Sequence, residues 1–241
     1  MQVKFNTCQK NNANFQSFIP RKVAPKNIGA ALDMDGVIID SVPFHKIAWE
    51  VFCKRHGKTF TQQDMINISG RSNPDALRYI FGDGLTAKQV EDYALTKELT
   101  YQEVIAPHLK PIKGFMDFMT QLDNGGVNHA VASSAPLINI EMLIKKMPYL
   151  NGFPIINATM VENSKPHPDI FLKAAEAMGV EPEKCVVFED ANSGFEAARR
   201  AHMKVVGVAT TIPVEELVNK VDYVITDFTQ IDLPKFLSIL A

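Results

Sequence analysis

The sequence predicts an α/β protein: a Rossmann-like, doubly wound parallel sheet whose first strand is followed by an inserted helical cap domain. Three observations carry this expectation. Short continuous apolar runs recur along the chain, and amphipathic stretches at helical spacing separate most of them. Unbroken apolarity, as opposed to alternation, marks strands covered on both faces, as in a parallel sheet. The interval between the first run and the second is about 95 residues long and reads as helices alone.

The expected strands are "IGAAL" (28–32), "NHAVAS" (128–133), "FPIINA" (153–158), "CVVFE" (185–189), "KVVGVA" (204–209) and "YVIT" (223–226). Amphipathic patterns over 114–123, 136–146, 168–178, 193–202 and 213–220 supply the covering helices. The cap is expected over 43–107. Its first helix, "FHKIAWEVF", would place Phe44, Ile47, Ala48, Val51 and Phe52 on one face. Thr61 with Asp64, and Thr86 with Gln89, have the spacing of capping boxes. Asn73 before Pro74 reads as a cap followed by proline at the first helical position. The core then comprises 27–42 and 108–241.

Residues 1–26 differ in composition. Lys4, Lys10, Arg21, Lys22 and Lys26 occur before the first acid, Asp33. A polar N-terminal extension outside the core is expected, with a basic, acid-poor transit peptide as the alternative. No continuous hydrophobic stretch suggests a secretory signal.

Composition bounds the function. The chain has 241 residues, 46% hydrophobic and 22% charged, with a net charge of −2. That balance draws the protein to neither nucleic acid nor membrane. No apolar run approaches the roughly 20 residues that span a bilayer. Cys8, Cys53 and Cys185 form no disulfide framework and no zinc spacing. A monomer in the reducing cytoplasm is expected.

Parallel sheets bind ligands outside the carboxyl ends of their strands, so residues at those ends come first. Asp33 and Asp35 follow the first apolar run. Two carboxylates about 4 Å apart repel by roughly 4 kcal/mol at an effective dielectric near 20, so something must offset them. Ser133 and Ser134 follow the second run, Lys165 sits in "SKPHPDIF", and Glu189 and Asp190 close "CVVFED". Hard oxygen ligands on separate loops suit Mg²⁺, which usually takes one or two protein carboxylates, waters and a substrate phosphate oxygen. One Mg²⁺ and Lys165 nearly balance the four acids until a phosphate dianion arrives.

In these motifs the sequence resembles the haloacid dehalogenase superfamily, in particular the branch of β-phosphoglucomutase and related sugar phosphatases. "DMDGV", the serine of "ASSA", "KPHPDIF" and "FEDANSGFEAA" match the four family motifs in order, and the resemblance spans 28 to about 230. It implies that Asp33 is a nucleophile forming an aspartyl-phosphate and that Asp35 is the general acid and base. It implies Mg²⁺ held by the Asp33 carboxylate, the Asp35 carbonyl and Asp190, with Glu189 assisting or standing behind the metal. Ser133 and Lys165 would hold the phosphoryl oxygens, and Gly36 would permit the tight loop.

In the cap, Ser41 and His45 match a hydroxyl and a histidine of the mutase hinge, a surface histidine being the alternative for His45. Trp49 reads as core. Gly70 and Arg71 in "SGRSNPD", with Ser134, are the remaining substrate candidates. The match is incomplete. Ser69 stands where the mutase has lysine, Asn73 where it has arginine, and Pro136–Leu137 where it has a lysine–asparagine pair. A mutase must grip a second phosphate, and this chain lacks part of that cationic set. The expectation is therefore a Mg²⁺-dependent phosphatase acting on a small phosphorylated metabolite such as a sugar phosphate. A phosphomutase is the alternative, a catalytically silent sugar-phosphate-binding regulator the second. Dehalogenation, which needs neither Asp35 nor a metal, is disfavoured.

Overall fold

A computed structural model describes residues 27–241; the expectations for 1–26 lie outside the described residues. Six strands, β1 (Gly29–Leu32), β2 (Asn128–Ser133), β3 (Ile155–Asn157), β4 (Cys185–Glu189), β5 (Lys204–Val208) and β6 (Tyr223–Ile225), form one parallel sheet in the order β3-β2-β1-β4-β5-β6. The order reverses at β1, which pairs Leu32 with Val131 of β2 and with Phe188 of β4. A crevice opens at such a reversal, beyond the carboxyl ends of the strands.

The side-chain period of two sends neighbours along each strand to opposite faces. Leu32, Val131, Val186 and Phe188 join one buried cluster with Phe115, Phe118, Phe228 and Phe236. Ala31, Ala130 and Val187 join another, under Phe171, Ala174 and Phe195. Helices α5 (Phe115–Asn124) and α10 (Leu233–Ile239) contribute to the first face. Helices α7 (Asp169–Met178) and α8 (Asn192–Arg200) contribute to the second.

Four helices between β1 and β2 precede α5: α1 (Val42–Arg55), α2 (Gln62–Ile68), α3 (Asn73–Phe81) and α4 (Ala87–Ile105). They enclose a small core of their own, containing Trp49, Phe52, Phe60, Met65, Ile68 and Leu77. Ala48 of α1 and Tyr101 and Ile105 of α4 belong instead to the main core, so these two helices root the unit in the sheet domain. Helix α6 (Leu137–Lys146) and the single-turn α9 (Val214–Leu217) complete the set. Among the described residues no helix is long and apolar enough to cross a membrane.

Local expectations met the structure unevenly. Thr61–Asp64 and Thr86–Gln89 are capping boxes in both directions. The cap of α3 is Ser72, not Asn73: its hydroxyl accepts from the Asp75 amide, which moves Asn73 and Pro74 into the first turn. The buried face of α1 is rotated from the expected one. Trp49 and Cys53 are buried with Ala48 and Phe52, while Ile47 is 40% exposed, because α1 packs on α4 and on the small core at once. Helix α9 stops well short of 220, since Asp222 is drawn back to β5, its amide donating to the Val205 carbonyl and its carboxylate accepting from the Val205 amide. Helix α10 was not expected.

Candidate active site

Asp33 extends β1 by one step, its amide donating to the Phe188 carbonyl. That places its carboxylate on the crest, where it is 5% exposed. Lys165, from the loop before α7, reaches it at 2.5 Å and reaches Glu189 at 2.8 Å. Both sequence partners are distant, so only the fold makes this triad. The second oxygen of Glu189 accepts from the amides of Asp190 (2.5 Å) and Ala191 (3.1 Å). Glu189 is thus engaged on both oxygens and holds the Lys165 ammonium against Asp33. Gly194, in the first turn of α8, lies so close that a Cβ there would collide with the Glu189 carboxylate.

Asp33, Glu189 and Asp190 each offer a carboxylate oxygen, all within 4.8 Å of one another. Burial raises Asp33 to about 7, with Glu189 and Asp35 adding to the shift and Lys165 opposing it. Burial, with Glu189 and Asp33 beside it, also lifts Asp190 well above the usual carboxylate range, and the Thr211 hydroxyl that donates to it does not reverse this. Carboxyls that would rather hold protons are a fit for a cation, which can replace those protons. With Glu189 occupied, Asp33 and Asp190 are the carboxylates with free ligand capacity. Gly36 leaves Asp190 room: it has φ +79°, and a Cβ there would collide with Asp190 Oδ2.

Asp35 turns the other way, toward the cap. Its Oδ1 accepts from the Ser41 hydroxyl at 2.6 Å and lies 3.1 Å from His45 Nε2. Burial would raise this carboxyl, but His45, Ser41 and Lys97 outweigh burial and hold it below its usual value. His45 is flanked on its other nitrogen by Lys97 Nζ at 2.9 Å and stacks on Tyr101, ring centroids 3.7 Å apart and 4° from parallel. It is not a surface histidine.

Ser133 is buried, its hydroxyl accepting from the Ala135 amide. The Ser134 hydroxyl donates to the Gly70 carbonyl, and that of Ser193 to the Ser69 carbonyl, so the 69–71 loop rests on the crest. Asp33, Asp35, His45, Gly70, Arg71 and Ser133 all line one cavity of about 70 Å³. The expected site residues of separate motifs are therefore brought together. Arg71, exposed, makes no side-chain ion pair among the described residues and lies at the cavity and at an outer groove beside Ser164 and Lys165.

The model of the haloacid dehalogenase-like hydrolase family matches residues 31–208, most of the chain and every motif described above. The chain belongs to that family. This haloacid dehalogenase-like hydrolase is 32% identical to fructose-1-phosphate phosphatase YqaB of Escherichia coli, over 75% of this chain and 95% of the relative. It is 30% identical to the β-phosphoglucomutase of Bacillus subtilis, over 75% of this chain and 83% of that one. Its fold matches the crystal structure of a family IA, variant 3 hydrolase from Entamoeba histolytica, with a TM-score of 0.81 at 25% identity over 88% of this chain and 99% of that one.

Several residues of this hydrolase's site were not singled out from the sequence. Lys97 and Glu98 are 2% exposed and line the cavity. Trp49 belongs to the small core, as expected, and lines the cavity too. A signal did exist: Lys97, Tyr101 and Ile105 repeat every four residues on the buried stripe of α4, and a lysine in such a stripe calls for a partner.

Proposed function

We propose that this hydrolase is a Mg²⁺-dependent phosphatase acting on a small phosphorylated sugar or polyol through an aspartyl-phosphate on Asp33. The carrying observation is the meeting of Asp33, Lys165, Glu189 and Asp190 at one crest, with Asp35 beside them and facing the cap. An Asp33 oxygen attacks phosphorus as the bond to the leaving oxygen breaks, and Asp35 gives that oxygen a proton. Asp35 then takes a proton from water, which attacks the aspartyl-phosphate and releases inorganic phosphate. Having given up its proton, Asp35 is left ionised, the form this second step needs and the one that His45 and Ser41 favour. Lys165 and Ser133 bind the phosphoryl oxygens. Asp33, Asp190 and the Asp35 carbonyl would hold Mg²⁺, which supplies positive charge to the transferring group.

A cavity of about 70 Å³ is far below the roughly 300–1,000 Å³ of ordinary small-molecule sites. Residues 43–107 therefore act as a lid that must lift to admit substrate. We read the protein as a cytoplasmic monomer with no nucleic-acid or membrane partner.

A phosphomutase is the second reading, favoured by the β-phosphoglucomutase relative. Against it, the Lys97 charge is matched by Glu98 at 2.8 Å, leaving Arg71 as the unmatched lysine or arginine of the cavity among the described residues. The test is phosphate release from a panel of sugar and polyol phosphates, with Mg²⁺ and with EDTA, and product chromatography. Phosphate released only with Mg²⁺, and lost by about 10⁴-fold or more in Asp33→Asn, supports hydrolysis through Asp33. Isomerised sugar phosphate without free phosphate would transfer the assignment to a mutase.

A further inference from the structure

The cavity wall supplied by the cap contains a charged pair, of which Lys97 backs His45 and Glu98 has no part in the proposed reaction. Glu98 Oε1 accepts from Lys97 Nζ (2.8 Å) and from Asn73 Nδ2 (2.8 Å), and its Oε2 accepts from Asn139 Nδ2 (2.6 Å). An ionised carboxylate has about four acceptor sites, so one remains on Oε2. Lys97 has three N–H donors. One faces His45 Nδ1 and one Glu98, so one remains there too. The Lys97 ammonium also lies 5.0 Å from the centre of the Trp49 ring, another cavity wall. Burial works against the Glu98 charge, but Lys97, His45 and Asn139 outweigh it and keep this carboxyl ionised.

One spare acceptor beside one spare donor suits hydroxyl groups, each of which both gives and takes a hydrogen bond. A phosphate dianion offers only acceptors. It could use Lys97 but would meet the negative charge of Glu98.

We infer that Glu98, with Lys97, chooses the substrate: it accepts a hydrogen bond from a hydroxyl of the phosphorylated sugar or polyol and repels a second phosphate group. This rests on the phosphatase reading and narrows it to polyhydroxylated monophosphates.

The test measures kcat/KM of the full chain with Mg²⁺ for fructose 1-phosphate, fructose 1,6-bisphosphate and p-nitrophenyl phosphate. The unmodified protein is expected to prefer the monophosphate over the bisphosphate by about tenfold or more, the scale set by leaving a buried polar group unsatisfied. In Glu98→Gln that ratio falls about tenfold, and in Glu98→Asp it persists. In Lys97→Met, where Glu98 has lost its matching cation, the ratio rises. Equal rates on the two fructose phosphates by the unmodified protein overturn the inference, whatever the folding of the variants. An unchanged ratio in folded Glu98→Gln overturns it as well. No turnover of any of the three compounds would instead sink the phosphatase reading beneath it.

Discussion

Replacing Lys165 by methionine probes the electrostatic arrangement directly. The side chain is 2% exposed, and its ammonium lies 2.5 Å from Asp33 and 2.8 Å from Glu189. At an effective dielectric near 20 these contacts are worth about 7 and about 6 kcal/mol before desolvation. Methionine avoids desolvating an ammonium, so the net loss is smaller. Removing one partner of a buried pair costs about 3–5 kcal/mol, because the other charge stays buried alone. In a chain of this size that lowers Tm by about 6–20 °C. The assay is thermal and urea unfolding in EDTA at pH 8, where protons compensate least for the lost cation. Formally, three carboxylates against one ammonium leave a charge of −2, and the variant leaves −3. Added Mg²⁺ should therefore raise the Tm of Lys165→Met more than that of the unmodified protein. A variant within about 1 kcal/mol of the unmodified protein in EDTA, well under the expected loss, would show that Lys165 does not hold this cluster together.

Asp35→Asn should slow hydrolysis of an alkyl phosphate by about 10²–10⁴-fold, and that of p-nitrophenyl phosphate, whose leaving group needs no proton, by less; comparing the two substrates checks it. Gly36→Ala must adopt a left-handed backbone at about 1–2 kcal/mol and drive a methyl into Asp190. The Mg²⁺ concentration for half-maximal activity should then rise, and an unchanged value would refute the fit drawn between Gly36 and Asp190 as a metal ligand. Glu98 is held below its ordinary value near 4.5, as Lys97, His45 and Asn139 outweigh burial. A depressed carboxyl contributes stability that is full above the unfolded value and lost as pH falls through the folded one. Urea unfolding from pH 6 down to 3 should therefore show a shallower loss of stability in Glu98→Gln than in the unmodified protein.

Much of the fold was legible because its signals are local. A four- to six-residue apolar run is enough to announce a buried parallel strand, and Asp33, Ser133, Glu189 and Asp190 stand where such runs end. The capping boxes at Thr61 and Thr86 are complete within four residues. Ser72 was missed as a cap because Asn73 beside Pro74 offered the same chemistry one residue later. The buried side of α1 was misjudged because two different cores, not one, claim its faces.

The amino-acid order by itself determined the parallel sheet, the crest at its strand ends and the identity of the acids and lysine placed there. Backbone periodicity and the ends of apolar runs are properties of neighbouring residues. Only the tertiary structure decided which charges share a partner: that Glu189 gives one oxygen to Lys165 and the other to two backbone amides, that Asp35 turns to His45, and that Lys97 is matched by Glu98 inside the cavity. Lys97 and His45 lie 52 residues apart, and Lys165 and Asp33 lie 132 apart. A buried charge is governed by distances of a few ångströms, and those exist only once the helices have packed on the sheet.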